Sequence, residues 1–199
     1  AQDSKAFLGD WVLTIEGRRG PQERPLNIKD TAGKLSAELG GGRGGPVAIT
    51  DVTVKGSEAI LKWIYGGLER QSRREDGKYV IFDQSPFVSG LGHGLSSEGV
   101  VYVPKTCAKQ GGCRLHIALH GCEQNRETVG MKFIEGSGFA RWANSNRLVV
   151  LFPQVSANPV LNPKGCWDWW GYTGRDFLSR KAPQIAAVWR MVERLSAPR

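Results

Sequence analysis

Three short runs of nearly uninterrupted apolar residues limit what this chain can fold into more than any other feature. They are Val100-Val101-Tyr102-Val103-Pro104, the segment from Arg114 to Gly121, and Arg147-Leu148-Val149-Val150-Leu151-Phe152-Pro153. A strand with one wet face alternates apolar and polar residues, whereas a strand covered on both sides is apolar throughout. Between the last two runs, Ile134, Phe139 and Trp142 recur near helical spacing, which predicts a helix over 133–144. A second helix is predicted over 183–195, with Pro183 in its first turn and Ile185, Val188, Val192 and Leu195 in one stripe. Buried strands alternating with helices predict an α/β sheet with helices on both faces.

The first 59 residues read differently. They hold eight Lys/Arg and eight Asp/Glu, so the net charge of +8 belongs to 60–199, as do all four Cys and six of the seven Trp. Trp11–Glu16, Pro25–Lys29, Lys34–Leu39, Ile49–Val54 and Ala59–Leu61 are short segments separated by turn-forming residues. This pattern predicts a small antiparallel β-meander of five strands over 1–59, of no assignable role, followed by an α/β region over 60–199. Gly40 to Gly45 holds five glycines among six residues, but no phosphate-loop spacing surrounds it, and it reads as a hairpin loop.

Few residues carry chemistry of their own. His116 and His120 have strand spacing that puts both on one face. A metal would need a third ligand of recognised spacing, which is absent, so a packed strand histidine is the expectation for His116. No serine has glycine at both −2 and +2, so the chain has no Gly-x-Ser-x-Gly nucleophile elbow. Gly94 to Gly99 is expected to be a surface turn, with His93 an exposed loop histidine beside it. Cys107 and Cys113 bracket a short loop expected between two strands, and Cys122 and Cys166 would join two strand-end loops. Disulfides Cys107–Cys113 and Cys122–Cys166 are favoured, implying an exported protein; a Cys/His zinc site is the rival, without Cys-x-x-Cys spacing to support it. Cys166-Trp167-Asp168-Trp169-Trp170-Gly171-Tyr172 is the densest aromatic cluster, suited either to an apolar ligand cleft or to a buried plug.

A resemblance makes these residues more specific. Leu115 to Asn125, Gly138 to Ala143, Leu151-Phe152-Pro153-Gln154 and Asn162 to Gly171 look like segments of the secreted poly(3-hydroxybutyrate) depolymerases. Trp63 to Gly66 and Lys78 to Phe87 also resemble that family. The similarity is to the C-terminal half of its circularly permuted α/β-hydrolases (type 2), in which the oxyanion-hole segment follows the lipase box. It spans about residues 60–197 and implies a partial α/β-hydrolase sheet. It further implies that the backbone N–H of Cys122 serves the oxyanion hole, with His120 and Gly121 shaping the turn. Trp169 would contact a polyester, flanked by Trp167 and Trp170. The family's Ser-Asp-His triad precedes this segment, and residues 1–59 do not resemble that part.

Three functions follow from the resemblance: an ester hydrolase of polyhydroxyalkanoate depolymerase type, a non-catalytic secreted polymer-binding protein, or one half of an esterase completed by a second chain. The expected ligand is an apolar polyester or short-chain ester, with no cofactor and no metal, in a secreted or periplasmic protein. The absence of any run of 18 apolar residues argues against a membrane span. Arg70, Arg73 and Arg74 are the single basic cluster, too small to predict a nucleic-acid partner.

Overall fold

The computed structural model describes residues 8–17, 20–31, 34–40, 45–49 and 56–197. The chain divides into two compact units, Ala1–Gly56 and Ser57–Arg199. Among the described residues, the first is a four-stranded antiparallel sheet in sequential order, with β1 Gly9–Gly17, β2 Gly20–Thr31, β3 Lys34–Leu39 and β4 Val47–Ile49. Its register pairs Trp11 with Leu26, Leu26 with Leu39, and Leu39 with Val47. Ile28 pairs with Ala37 two residues away, so these apolar residues share one face. Most of the segment expected as the fourth strand, 49–54, and most of the glycine loop lie outside the described residues. Ala59-Ile60-Leu61 is not a strand. It lies within helix α1, Gly56–Tyr65, where Leu61 is buried and Tyr65 packs one turn later against the same core. Three apolar residues cannot distinguish the two periods, and the i, i+4 pair settles it.

The second unit is an α/β layer structure. Its sheet runs β5-β6-β8-β7, with β5 Lys78–Asp83, β6 Glu98–Val103, β7 Arg114–Ile117 and β8 Leu148–Phe152. The β5–β6 and β6–β8 pairs are antiparallel, and β7 runs parallel to β8. Side chains of β6 and β8 alternate between two cores. Val100, Tyr102, Leu148, Val150 and Phe152 pack with Leu61, Phe139 and Trp142, while Val101 and Leu151 pack with Met191 on the opposite face. Helices therefore cover both faces, and this is why the strands are apolar without interruption. The buried Tyr102 hydroxyl donates to Asn144 Oδ1 at 2.7 Å and accepts the Gly77 N–H at 2.9 Å, so its polar end is satisfied.

Several elements differ from the sequence expectation. The helix predicted over 133–144 is two, α4 Lys132–Gly136 and α5 Phe139–Asn146, broken where Gly138 adopts φ 75°. Arg147 is not in β8 but closes α5 at φ 52°, its N–H reaching the Ala143 carbonyl. The segment after Pro104 is a helix, α2 Lys105–Gln110, and two left-handed glycines, 111 and 112, turn the chain into β7. The last helix, α6 Pro183–Ser196, buries Gln184, Ala187 and Met191. The predicted stripe sits beside that face, with Ile185 and Leu195 exposed. Gly94–Gly99 is not a surface turn either. Leu95 bridges Val155, Ser96 is buried, and the Ser96 N–H donates to the Gln154 carbonyl at 3.0 Å. His93 is half-buried, accepting the Leu95 N–H at Nδ1, 3.0 Å away. No described helix is long and apolar enough to cross a membrane.

Candidate functional site

Two chain segments meet beyond the C-terminal ends of β7 and β8, where an open α/β sheet places its ligand crevice. The first leaves β7 at Ile117. Ala118 keeps one more bond to the sheet, donating to the Leu151 carbonyl at 2.9 Å, and Leu119 then faces solvent. His120 lies beyond the strand and is buried against Phe133 and Trp167. Its Nε2 accepts the Val155 N–H at 3.2 Å, so the ring proton sits on Nδ1 and is donated to the Gly121 carbonyl at 2.8 Å. Burial pushes this imidazole below its ordinary pKa, while the Gly121 bond raises it. Both nitrogens are occupied, and His120 acts as a neutral brace for the turn. His116 remains in β7, its ring between Tyr65 and Phe139, with burial lowering its pKa as well.

The turn after His120 is tight and partly strained. The Gly121 N–H donates to Gln124 Oε1 at 3.0 Å, and the Gln124 N–H returns to the Gly121 carbonyl at 3.2 Å. Glu123 adopts φ 61°, left-handed for a residue with a Cβ, and its N–H reaches the Lys164 carbonyl at 2.7 Å. Cys122 between them is exposed, and its N–H meets no acceptor among the described residues. An unclaimed N–H on an exposed residue is free to meet a ligand oxygen.

The second segment is 153–182, irregular throughout. Cys122 and Cys166 form a disulfide with Cα atoms 4.3 Å apart, and Cys107–Cys113 forms the other, at 5.7 Å. With every cysteine paired, none is left to ligate zinc. Buried side chains take the place of a backbone ladder here. Asn162 accepts the Cys166 N–H and donates to the Cys166 carbonyl, at 2.9 and 2.8 Å. Gln184 of α6 accepts the Asp168 N–H at 2.9 Å and donates to the Tyr172 hydroxyl at 2.7 Å. Gly165 is left-handed, and a Cβ there would collide with the Asn125 amide, which caps helix α3, Arg126–Val129.

The three tryptophans separate into two roles. Trp167 packs on His120 and is half-buried, its indole N–H enclosed without a partner among the described residues. Trp169 and Trp170 project outward, 71% and 41% exposed, edge to face at 5.2 Å. The cluster is therefore a plug at one residue and a display at two. A cleft of about 590 Å³ adjoins it, lined by Leu119, Trp167, Phe177, Ile185 and Trp189. Asp168, Asn162 and Gln184 organise this region and were not among the sequence candidates. The single signal was Asp168 two residues before Trp170-Gly171, the pattern of an Asx turn.

No protein-family model matches the chain. It is 37% identical over 153 residues to a poly(3-hydroxybutyrate) depolymerase of Delftia acidovorans, covering 75% of this chain and 30% of that protein. It is 34% identical over 159 residues to a polyhydroxybutyrate depolymerase of Talaromyces funiculosus, covering 74% of this chain and 46% of that one. Among solved structures, the PHB depolymerase of Penicillium funiculosum matches with a TM-score of 0.63 and 35% identity, over 69% of this chain and 46% of that chain. A serine-to-alanine PHB depolymerase complexed with an R3HB trimer matches with the same figures. The chain thus spans less than half the length of the relatives it matches. Over about three-quarters of its own length, it is a relative of the poly(3-hydroxybutyrate) depolymerases and shares the α/β fold of one of them.

Proposed function

We propose that residues 57–199 are the oxyanion-hole and substrate-loop part of a polyester-hydrolysing α/β-hydrolase, corresponding to the C-terminal half of that family. In this reading the Cys122 N–H, aimed by the His120-Gly121 turn, stabilises the negative charge that develops on an ester carbonyl oxygen under attack. Trp169, with Trp170 beside it, grips the apolar face of a 3-hydroxyalkanoate chain, and Trp167 packs on His120 at the base of the turn. The observation that carries the reading is the disulfide between Cys122 and Cys166, which fixes the donor and the aromatic loop to each other. A Gly-x-Ser-x-Gly nucleophile is not among these 199 residues, so hydrolysis draws its serine, aspartate and histidine from the complementary half, on a second chain or segment. The two disulfides suit an extracellular or periplasmic setting.

The test measures adsorption of the chain to a polyhydroxybutyrate film, with p-nitrophenyl butyrate turnover and fluorophosphonate labelling in parallel. Adsorption lost on Trp169→Ala is expected, and film binding that is indifferent to Trp169 would refute the reading. Turnover with a labelled serine in the isolated chain would refute the need for a complementary half.

A further inference from the structure

The outward pair Trp169 and Trp170 belongs to a loop that lies outside any strand or helix, and one carboxylate organises it. Asp168 Oδ1 accepts the N–H groups of Trp170, Gly171 and Tyr172 at 3.2, 2.6 and 3.1 Å. Its Oδ2 accepts the Thr173 N–H at 2.8 Å and the Thr173 hydroxyl at 2.6 Å. Four successive backbone donors and one hydroxyl therefore close on a single side chain. The Asp168 N–H is in turn held by Gln184, which anchors the turn to α6. Gly171, at φ +92°, lets the chain curl tightly enough for all five donors to converge.

We propose that Asp168 is a positioning residue for polyester binding. It folds 168–173 into a closed turn that holds Trp169 and Trp170 edge to face and outward, so that the indoles meet an apolar ester chain without first being ordered. A loop carrying two exposed tryptophans and no such anchor would spend binding energy on immobilising them. The proposal rests on the reading of Trp169 as a polyester contact, and the experiment separates the two. In Asp168→Asn, Oδ1 still serves residues 170–172, but the amide nitrogen confronts the Thr173 N–H with a second donor and can no longer accept the Thr173 hydroxyl proton. Half of the turn then opens while the Gln184 anchor, made by the backbone, is retained.

Two readouts on the full chain test this. The first is the exciton signal of the Trp169–Trp170 pair in circular dichroism, assigned by its loss in Trp169→Phe. The second is a double-mutant cycle for adsorption to a polyhydroxybutyrate film. Asp168→Asn is expected to lose the exciton signal and to weaken adsorption about tenfold. Adding it to Trp169→Ala is expected to weaken adsorption no further, because the carboxylate acts through the indole. A retained signal, or losses that add, overturns the proposal while leaving Trp169 as the contact. If Trp169→Ala adsorbs as the native chain does, the polyester reading itself falls. Should Asp168→Asn fail to fold, Thr173→Val removes only the hydroxyl donor and is expected to shift both readouts the same way; unchanged readouts overturn the proposal equally.

Discussion

Removing the Cys122–Cys166 disulfide separates chain entropy from native contacts, and the structure sets the size of the effect. The two cysteines are 44 residues apart, against 6 for Cys107–Cys113. Closing a loop of that length in the unfolded chain costs about 4 kcal/mol at room temperature, and closing the short one costs about 2.2 kcal/mol. Native geometry around the longer bridge does not depend on sulfur alone. The Glu123 N–H still reaches Lys164, and Asn162 still clamps Cys166. The paired Cys122→Ser and Cys166→Ser variant is therefore expected to fold and to be destabilised by about 4 kcal/mol, a large share of a stability of about 5–15 kcal/mol. Urea denaturation followed by tryptophan fluorescence reads the α/β unit, since six of seven Trp lie in it. The denaturant slope should rise as the unfolded chain expands. If the paired Cys107→Ser and Cys113→Ser variant proves equally destabilised, or more so, the loop-length argument fails.

Other expectations follow from single residues. Gln84 is fully buried, bonding the carbonyls of Ser96 and Gln154 and the Gln154 N–H; Gln84→Leu strands those groups and should cost about 2–5 kcal/mol in thermal or urea melts. Burial holds His116 and His120 below their ordinary pKa of 6.5, so the unfolded chain binds protons more readily. Stability should accordingly be full above that pH and fall as pH drops through about 6.5, and a flat urea midpoint between pH 7.5 and 5 would contradict it. At Glu123, Gly relieves left-handed strain but frees the unfolded chain, so the net change should stay within about 1 kcal/mol. Val at the same position should cost about 2 kcal/mol, and equal melting of the two variants would show that the backbone there is unstrained.

The sheet was legible where sequence pattern and burial coincide. Val100–Val103 and Leu148–Phe152 are apolar because both faces are covered, so β6 and β8 could be read directly, and Pro183 marked the start of α6. Legibility failed where a choice hung on a tertiary neighbour. Ala59–Leu61 is helical because Leu61 and Tyr65 reach one core, and Leu95-Ser96 is buried because Val155 and Gln154 lie against it. The chemistry of the site divides in the same way. The cysteine pairs and the Trp167–Trp170 cluster announce themselves by residue type. Asp168, Asn162 and Gln184 are ordinary polar residues in sequence, and their role exists only through the backbone groups folded around them.

The irregular segment 153–182 has a bearing on how such a surface changes over generations. Its shape is held by a handful of polar anchors, Asn162, Asp168 and Gln184 from α6, together with the Cys166 bridge. Its outward residues, Trp169, Val160 and Leu178, contribute no side-chain hydrogen bond to that frame among the described residues, and all three are more than 70% exposed. Variation can therefore explore what the loop touches while leaving how the loop stands untouched. Diversity among descendants of this chain should concentrate at those outward positions, with the anchors changing only in company with one another.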